Sequence, residues 1–229
     1  MPAVDYRVIS IGALAAHPLW DEKGDVRTGH TTTTLINAGD AHILVNPSLP
    51  SQILAARLSE RTRLRPEQIT HVFITTFTLE HYRGLPLFRR AAWLVHEPEK
   101  LAAETALNDQ LERAREGRDP DLIRTVKEHL ALLERCRTAD DSIAPGVDLF
   151  PLPGLSPGTC GLILAQPAST ILICGDALPT FEHLEQGKVL PTCIDLDQAQ
   201  ESFREAIEIA DVLILGRDNL CFNPVRRVM

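Results

Sequence analysis

The chain has 229 residues, of which 24% are charged and 44% hydrophobic, and its formal net charge is -8. This composition is typical of a globular protein, and the acidic balance argues against nucleic acid or an anionic membrane as a partner. The sequence contains no apolar run of membrane-spanning length and no signal-peptide pattern at its N-terminus, so we expect a cytoplasmic protein. The five cysteines form no Cys-X-X-Cys pair, which favours a reducing compartment over a disulfide framework.

Strand and helix patterns follow one another along the whole chain, and no Gly/Ser-rich linker divides it, so we expect a single domain over residues 1–229. Runs of β-branched and apolar residues predict strands at 6–11, 31–37, 42–45, 69–75, 92–96, 147–150, 160–165, 170–174 and 212–215. Apolar residues at three-four spacing predict helices at 51–62, with Ser51 as its cap, at 85–90 and at 197–210. A charged helical pair is predicted around 97–137, as an insertion that covers the sheet.

The stretch Thr75-Thr76-Phe77-Thr78-Leu79-Glu80-His81 stands out because it joins a buried strand to a polar loop. It directly follows the apolar run His71-Val72-Phe73-Ile74. Open α/β sheets usually place their ligand sites at the carboxyl ends of such strands. The sequence therefore predicts functional side chains in this loop.

This stretch resembles the metal-binding signature His-X-His-X-Asp-His of the metallo-β-lactamase superfamily. Five matches occur in the family's order: the hairpin from Gly29 to Pro47, Ile69–Thr75 with Gly84–Phe88, Pro153–Gly158, Ile173–Asp176 and Gly216–Asn219. The resemblance implies an α/β fold, namely an αβ/βα four-layer sandwich of two facing mixed β-sheets with helices outside. It also implies a site at one edge, between the two sheets.

In that family, histidines and aspartates hold two metal ions that activate a water for hydrolysis. The positions that match the ligands carry, in chain order, Thr76, Thr78, Glu80, His81, Leu155, Asp176 and Arg217. Only His81 and Asp176 keep the family's residue type, with Glu80 as a longer stand-in for an aspartate. Because hydroxyl, leucine and guanidinium groups are not the usual zinc donors, we expect no metal and no other cofactor.

The matched positions predict a rebuilt cleft, formed by Thr76, Thr78, Glu80, His81, Leu155, Asp176, Arg217 and Asp218. Two carboxylates at the floor of a buried cleft need a compensating charge. A guanidinium can bridge both through its planar fork of donors, so we hypothesise that Arg217 forms an ion pair with Asp176, Glu80 or both. Asp218 then either orients Arg217 or caps the following turn.

The preferred function is binding of a small anionic ligand or a protein partner, without the usual hydrolase activity. The first alternative is a hydrolase or lyase that uses one divalent ion, Zn, Mn or Fe, on Glu80, His81 and Asp176. A second is metal-free catalysis, with His81 as general acid/base and Arg217 as anion stabiliser. A structural homo-oligomer built through the helices at 97–137 is a third class.

Overall fold

The computed structural model describes residues 4–226, which form two six-stranded mixed β-sheets and six α-helices. The first sheet contains, in spatial order, β1 (Val4–Ser10), β2 (Thr33–Ala38), β3 (Ala41–Val45), β4 (His71–Ile74), β5 (Ala92–Val95) and β6 (Arg137–Thr138). The second contains β7 (Ser142–Ala144), β8 (Val147–Pro151), β9 (Cys160–Ala165), β10 (Thr170–Gly175), β11 (Val212–Leu215) and β12 (Leu220–Phe222). The helices are α1 (Ser51–Arg61), α2 (Leu79–Tyr82), α3 (Glu97–Glu116), α4 (Pro120–Arg135), α5 (Phe181–Gln186) and α6 (Leu196–Ile209).

Alternating side chains on the strands form three apolar layers. In β4, Phe73 joins the layer between the two sheets, whereas its neighbours Val72 and Ile74 pack on the helical side. In β10, Ile173 likewise faces the first sheet and Leu172 faces the helices. Each sheet is therefore buried on both faces, and the predicted αβ/βα sandwich is confirmed.

The outer layers contain the amphipathic faces of the helices. Leu54 and Leu58 of α1 and Leu133 of α4 pack on the first sheet. Phe203 and Ala206 of α6 pack on the second sheet. Within residues 4–226, no helix combines the length and the apolar character needed to cross a membrane.

The structure corrects two local predictions and adds three short strands. The helix expected at 85–90 is only a 3-10 turn at Leu85–Leu87, and the regular turn α2 forms earlier, where a loop was expected. Ser51 is the first residue of α1 rather than its cap, because Pro50 occupies the N-cap position and no side chain caps the helix. The short edge strands β6, β7 and β12 were not predicted, since two or three residues show no alternation.

Two helices, α3 and α4, occupy the range where the helical pair was predicted. Asp119 is the N-cap residue of α4, and its carboxylate accepts hydrogen bonds from the backbone N–H groups of Asp121 and Leu122 at 3.1 and 3.0 Å. The start of α3 packs tightly on the loop before β9, where a Cβ atom on Gly158 would overlap the backbone of Glu99. Helix α3 therefore contacts the loop at the sheet edge as well as the first sheet.

Candidate functional site

The loops after β4, β10 and β11 meet at one edge of the sandwich. Gly175, at the end of β10, has a φ of +54°, and a Cβ atom there would lie 2.6 Å from Thr75 Oγ1. Asn46, also at positive φ, accepts a hydrogen bond from the Thr75 backbone N–H at 3.0 Å through Oδ1. Positive φ is accessible mainly to glycine and asparagine. Gly175 thus allows the two sheets to approach closely, whereas Asn46 links the ends of the neighbouring strands β3 and β4.

One arginine and two carboxylates, Arg217, Asp176 and Glu80, form an ion pair at this edge. Arg217 donates from Nε to Asp176 Oδ1 at 2.7 Å and from Nη2 to Asp176 Oδ2 at 2.6 Å. Its Nη1 donates to Glu80 Oε2. The predicted ion pair is therefore present, and it includes both acids.

Arg217 and Asp176 are the buried part of the ion pair, whereas the Glu80 side chain is 35% exposed. Arg217 is 7% exposed and Asp176 is 3% exposed. Burial alone would raise the pKa of Asp176, but the charge and hydrogen bonds of Arg217, together with the nearby His81, lower that pKa below its ordinary value. The same carboxylate raises the pKa of Arg217 despite burial. Both groups are consequently charged at neutral pH.

His81 lies beneath the ion pair, on α2. Its Nδ1 is 2.7 Å from Thr78 Oγ1, and its Nε2 is 3.4 Å from Asp176 Oδ2. That second distance is long for a hydrogen bond, and Nε2 has no hydrogen-bond partner within residues 4–226. Complete burial lowers the pKa of His81 to about 4, so the imidazole is neutral at neutral pH.

A cavity of about 580 Å³ opens beside the ion pair. Six of the eight predicted cleft residues line it, namely Thr76, Thr78, Glu80, Leu155, Asp176 and Arg217. Its other walls are mainly apolar and come from α3 and from the loops after β1, after β4, before β9 and before α6. These residues are Leu14, Ala15, Ala16, Pro18, Asp25, Phe77, Glu99, Ala102, Ala103, Ala106, Ser156, Pro157, Leu190, Pro191, Thr192 and Ile194. The site is thus a charged cluster at one side of an apolar chamber.

Two predicted cleft residues do not line the cavity. His81 is fully buried and lies behind Thr78 and Asp176, which both line the cavity. Asp218 accepts hydrogen bonds from the backbone N–H groups of Asn219 at 2.7 Å and Phe181 at 3.3 Å. It therefore caps the turn, which was one of the two roles expected for it, and it does not orient Arg217.

The most informative residue that sequence reasoning missed is Glu99, on α3. It is 3% exposed, and its carboxylate accepts a hydrogen bond from the Phe77 backbone N–H at 2.6 Å and another from the Ser156 hydroxyl. Burial raises its pKa above the ordinary value. Ser156 lies in the predicted Pro153–Gly158 motif, but Glu99 has no local sequence signal because its position depends on how α3 docks.

The side chains at this edge do not fit a dinuclear metal centre. Leucine, threonine and arginine stand where donors would be needed, and the guanidinium of Arg217 lies between the two carboxylates that could have bridged metals. No group of three or more His, Cys, Asp or Glu side chains within residues 4–226 has the geometry to hold a metal ion.

The sequence model of the metallo-β-lactamase superfamily matches residues 26–215. The chain belongs to the metallo-β-lactamase superfamily. Comparison with curated proteins gave no match.

Several solved structures have the same fold. A Thermotoga maritima protein named as a metallo-β-lactamase is 18% identical, with a TM-score of 0.70, and the match covers 96% of this chain and 99% of that protein. AidC, a dizinc quorum-quenching lactonase, is 14% identical with a TM-score of 0.65, over 84% of this chain and 74% of its own. A variant of Bacillus thuringiensis AiiA with N-decanoyl-L-homoserine at its active site is 17% identical with a TM-score of 0.65, over 94% and 92% of the two chains.

Proposed function

We propose that this protein is a metal-free member of the superfamily that binds a small, largely apolar molecule in the cavity beside Arg217. The observation that carries this proposal is the position of the Arg217 guanidinium, which bonds both Asp176 and Glu80 at the edge where the family places its metals. A fixed organic cation then supplies the charge compensation that metal ions supply in relatives such as the dizinc lactonase. We propose that the usual metal-dependent hydrolysis is absent.

The charges around the cavity favour a neutral or cationic ligand over the anionic one that the sequence suggested. Within the ion pair, one positive group faces two carboxylates. Two more acids, Asp25 and Glu99, line the same chamber. An additional negative charge would therefore meet net repulsion. The apolar walls suit a hydrocarbon body, which a cavity of about 580 Å³ can enclose.

Metal content is the first test of this proposal. Protein produced with added Zn, Mn and Fe is expected to retain no stoichiometric metal by elemental analysis. As a matched positive control, a variant with Thr76→His, Thr78→His, Leu155→His and Arg217→His together is expected to gain zinc, because it restores nitrogen donors on the same scaffold. Stoichiometric metal in the unmodified protein would contradict the metal-free state.

Binding of a neutral apolar probe is the second test. N-phenyl-1-naphthylamine, whose fluorescence rises in apolar surroundings, is expected to bind, and Ala106→Trp is expected to weaken it at least about tenfold, or about 1.4 kcal/mol, by filling the chamber. Ala56→Trp, at an exposed position on α1, is the matched control and should leave binding unchanged. Stronger binding of the anionic 1-anilinonaphthalene-8-sulfonate, or equal binding by both tryptophan variants, would count against the proposed ligand class.

A further inference from the structure

One hydroxyl on the cavity wall is paired with a buried histidine. Thr78 is exposed, lines the cavity, and places Oγ1 2.7 Å from Nδ1 of His81. On the other side of the imidazole, Nε2 lies 3.4 Å from Asp176 Oδ2. Hydroxyl, imidazole and carboxylate thus follow one another in the order used by enzymes with a nucleophilic hydroxyl, with the carboxylate just beyond hydrogen-bond distance of the imidazole.

We propose that Thr78 is a catalytic nucleophile, with His81 as its general base and Asp176 as the positioning residue for the imidazole, and that this site cleaves neutral esters with an apolar acyl chain. The inference goes beyond the proposed binding function, since the cavity can hold such an ester whether or not Thr78 reacts.

The positions of the imidazole protons favour transfer of a proton from the Thr78 hydroxyl to His81. A carboxylate only accepts hydrogen bonds, so the imidazole proton is most stable on Nε2, which faces Asp176. Nδ1 is then left as the acceptor of the Thr78 hydroxyl proton.

A second copy of the same local sequence shows that Thr78 is not an ordinary helix cap. The pattern Thr-X-Glu-His occurs at 78–81 and again at 180–183, in both cases at the start of a short helix. Thr180 Oγ1 likewise lies 2.8 Å from His183 Nδ1, but Thr180 is 4% exposed, and its hydroxyl also caps α5 by accepting from the His183 backbone N–H at 3.4 Å. Thr78 makes no such capping bond and faces the cavity. The contact between threonine and histidine therefore follows from the local sequence, and Thr78 differs from Thr180 in that it faces the cavity and does not cap its helix.

The cavity supplies the other parts that acyl transfer needs. Its alanine and proline walls accommodate an acyl chain next to Thr78. Arg217 also lines it, and three of its five N–H donors bond Asp176 and Glu80. Its two remaining N–H donors would bond the negative oxygen that forms on the ester carbonyl, and at that atom they would offset the repulsion from the surrounding carboxylates.

The reaction balances with water as the only co-reactant. Thr78 Oγ1 attacks the carbonyl carbon while its proton moves to His81 Nδ1, and the carbonyl π electrons move onto oxygen. When they return, the bond to the alcohol oxygen breaks, and that oxygen takes the proton from Nδ1. Water then attacks the acyl-threonine by the same proton route, which releases the carboxylic acid and restores the Thr78 hydroxyl.

An alkyl fluorophosphonate tests the nucleophile directly, because it phosphonylates activated hydroxyl groups. Intact-mass analysis and peptide mapping of the unmodified protein are expected to show one adduct, on Thr78. The adduct should be absent in Thr78→Val, retained in Thr78→Ser, and formed roughly 10²-fold more slowly in His81→Gln. Hydrolysis of p-nitrophenyl octanoate should likewise be lost in Thr78→Val, retained in Thr78→Ser and slowed in His81→Gln. Thr125→Val, at an exposed threonine on α4, is the matched control and should alter neither readout.

Three results would overturn the proposal: no adduct on the unmodified protein, an adduct on Ser156 or Thr180 instead, or ester hydrolysis that survives Thr78→Val. Hydrolysis that needs His81 but not Thr78 would mean that the histidine activates water directly, and it would likewise overturn the nucleophile. Binding of N-phenyl-1-naphthylamine is measured on the same samples. Retained binding without an adduct contradicts this inference alone, whereas loss of binding contradicts the proposed function.

Discussion

Replacing Arg217 with alanine is expected to lower the free energy of unfolding by about 3–5 kcal/mol. The guanidinium is 7% exposed and makes two hydrogen bonds to Asp176, which is 3% exposed. Its removal leaves a carboxylate in a buried site with no cation beside it, so the protein loses the pairing without recovering the cost of burial. Urea unfolding monitored by circular dichroism measures the change.

Two further variants distinguish a buried charge from an ordinary surface ion pair. Arg124→Ala removes an exposed arginine that pairs with Asp121 on α4 at 2.8 Å, and its expected cost is only about 0–1 kcal/mol. Adding Asp176→Asn to Arg217→Ala should recover part of the lost stability, because the uncompensated charge is then gone. If Arg217→Ala is as mild as Arg124→Ala, the ion pair does not stabilise the fold as described.

The main strands could be predicted from sequence because their apolar patterns are local. The run Val72-Phe73-Ile74 fills both faces of one sheet, and its composition alone indicates a buried strand. β12 could not be predicted, since its three residues are ordered by pairing with β11 rather than by their own pattern. The turn α2 was missed because it has only four residues, too few to show helical periodicity.

The charged side of the site was predictable, and its opposite wall was not. The family resemblance placed Arg217 opposite two acids, and the need for charge compensation then predicted its partners. Glu99 lies on α3, 57 residues from Ser156 along the chain, and reaches the site only because Gly158 lets the helix start approach. The pairing of Thr78 with His81 was also missed, although the repeated Thr-X-Glu-His pattern could have drawn attention to it.

Acidification is expected to destabilise the protein well before its paired carboxylates titrate. Burial lowers the pKa of both His81 and His183 to about 4, from 6.5 in water, and both side chains are fully buried. In the unfolded chain these histidines gain protons near pH 6.5, whereas in the folded chain they do so only near pH 4. Each therefore contributes stability that is present above pH 6.5 and lost as the pH falls to 4, about 3 kcal/mol per histidine.

Two carboxylates modify the acid end of this profile in opposite directions. Asp176 has a lowered pKa, so its contribution is lost only as the pH falls below its ordinary value of 3.8. Glu99 has a raised pKa, so the folded state gains its proton first, and this offsets part of the loss as the pH approaches 4.5. The steepest decline should therefore lie between pH 6.5 and the carboxylate range.

Unfolding free energies measured across this interval test the assignment to histidine. His183→Gln, which removes one buried imidazole next to His17 and Thr180, is expected to flatten the decline by about half. The variant is compared with the unmodified protein by the slope of stability against pH, since substitution also changes the stability at neutral pH. A slope that His183→Gln leaves unchanged, or a stability that is constant down to pH 4, would show that these imidazoles are not held neutral by burial.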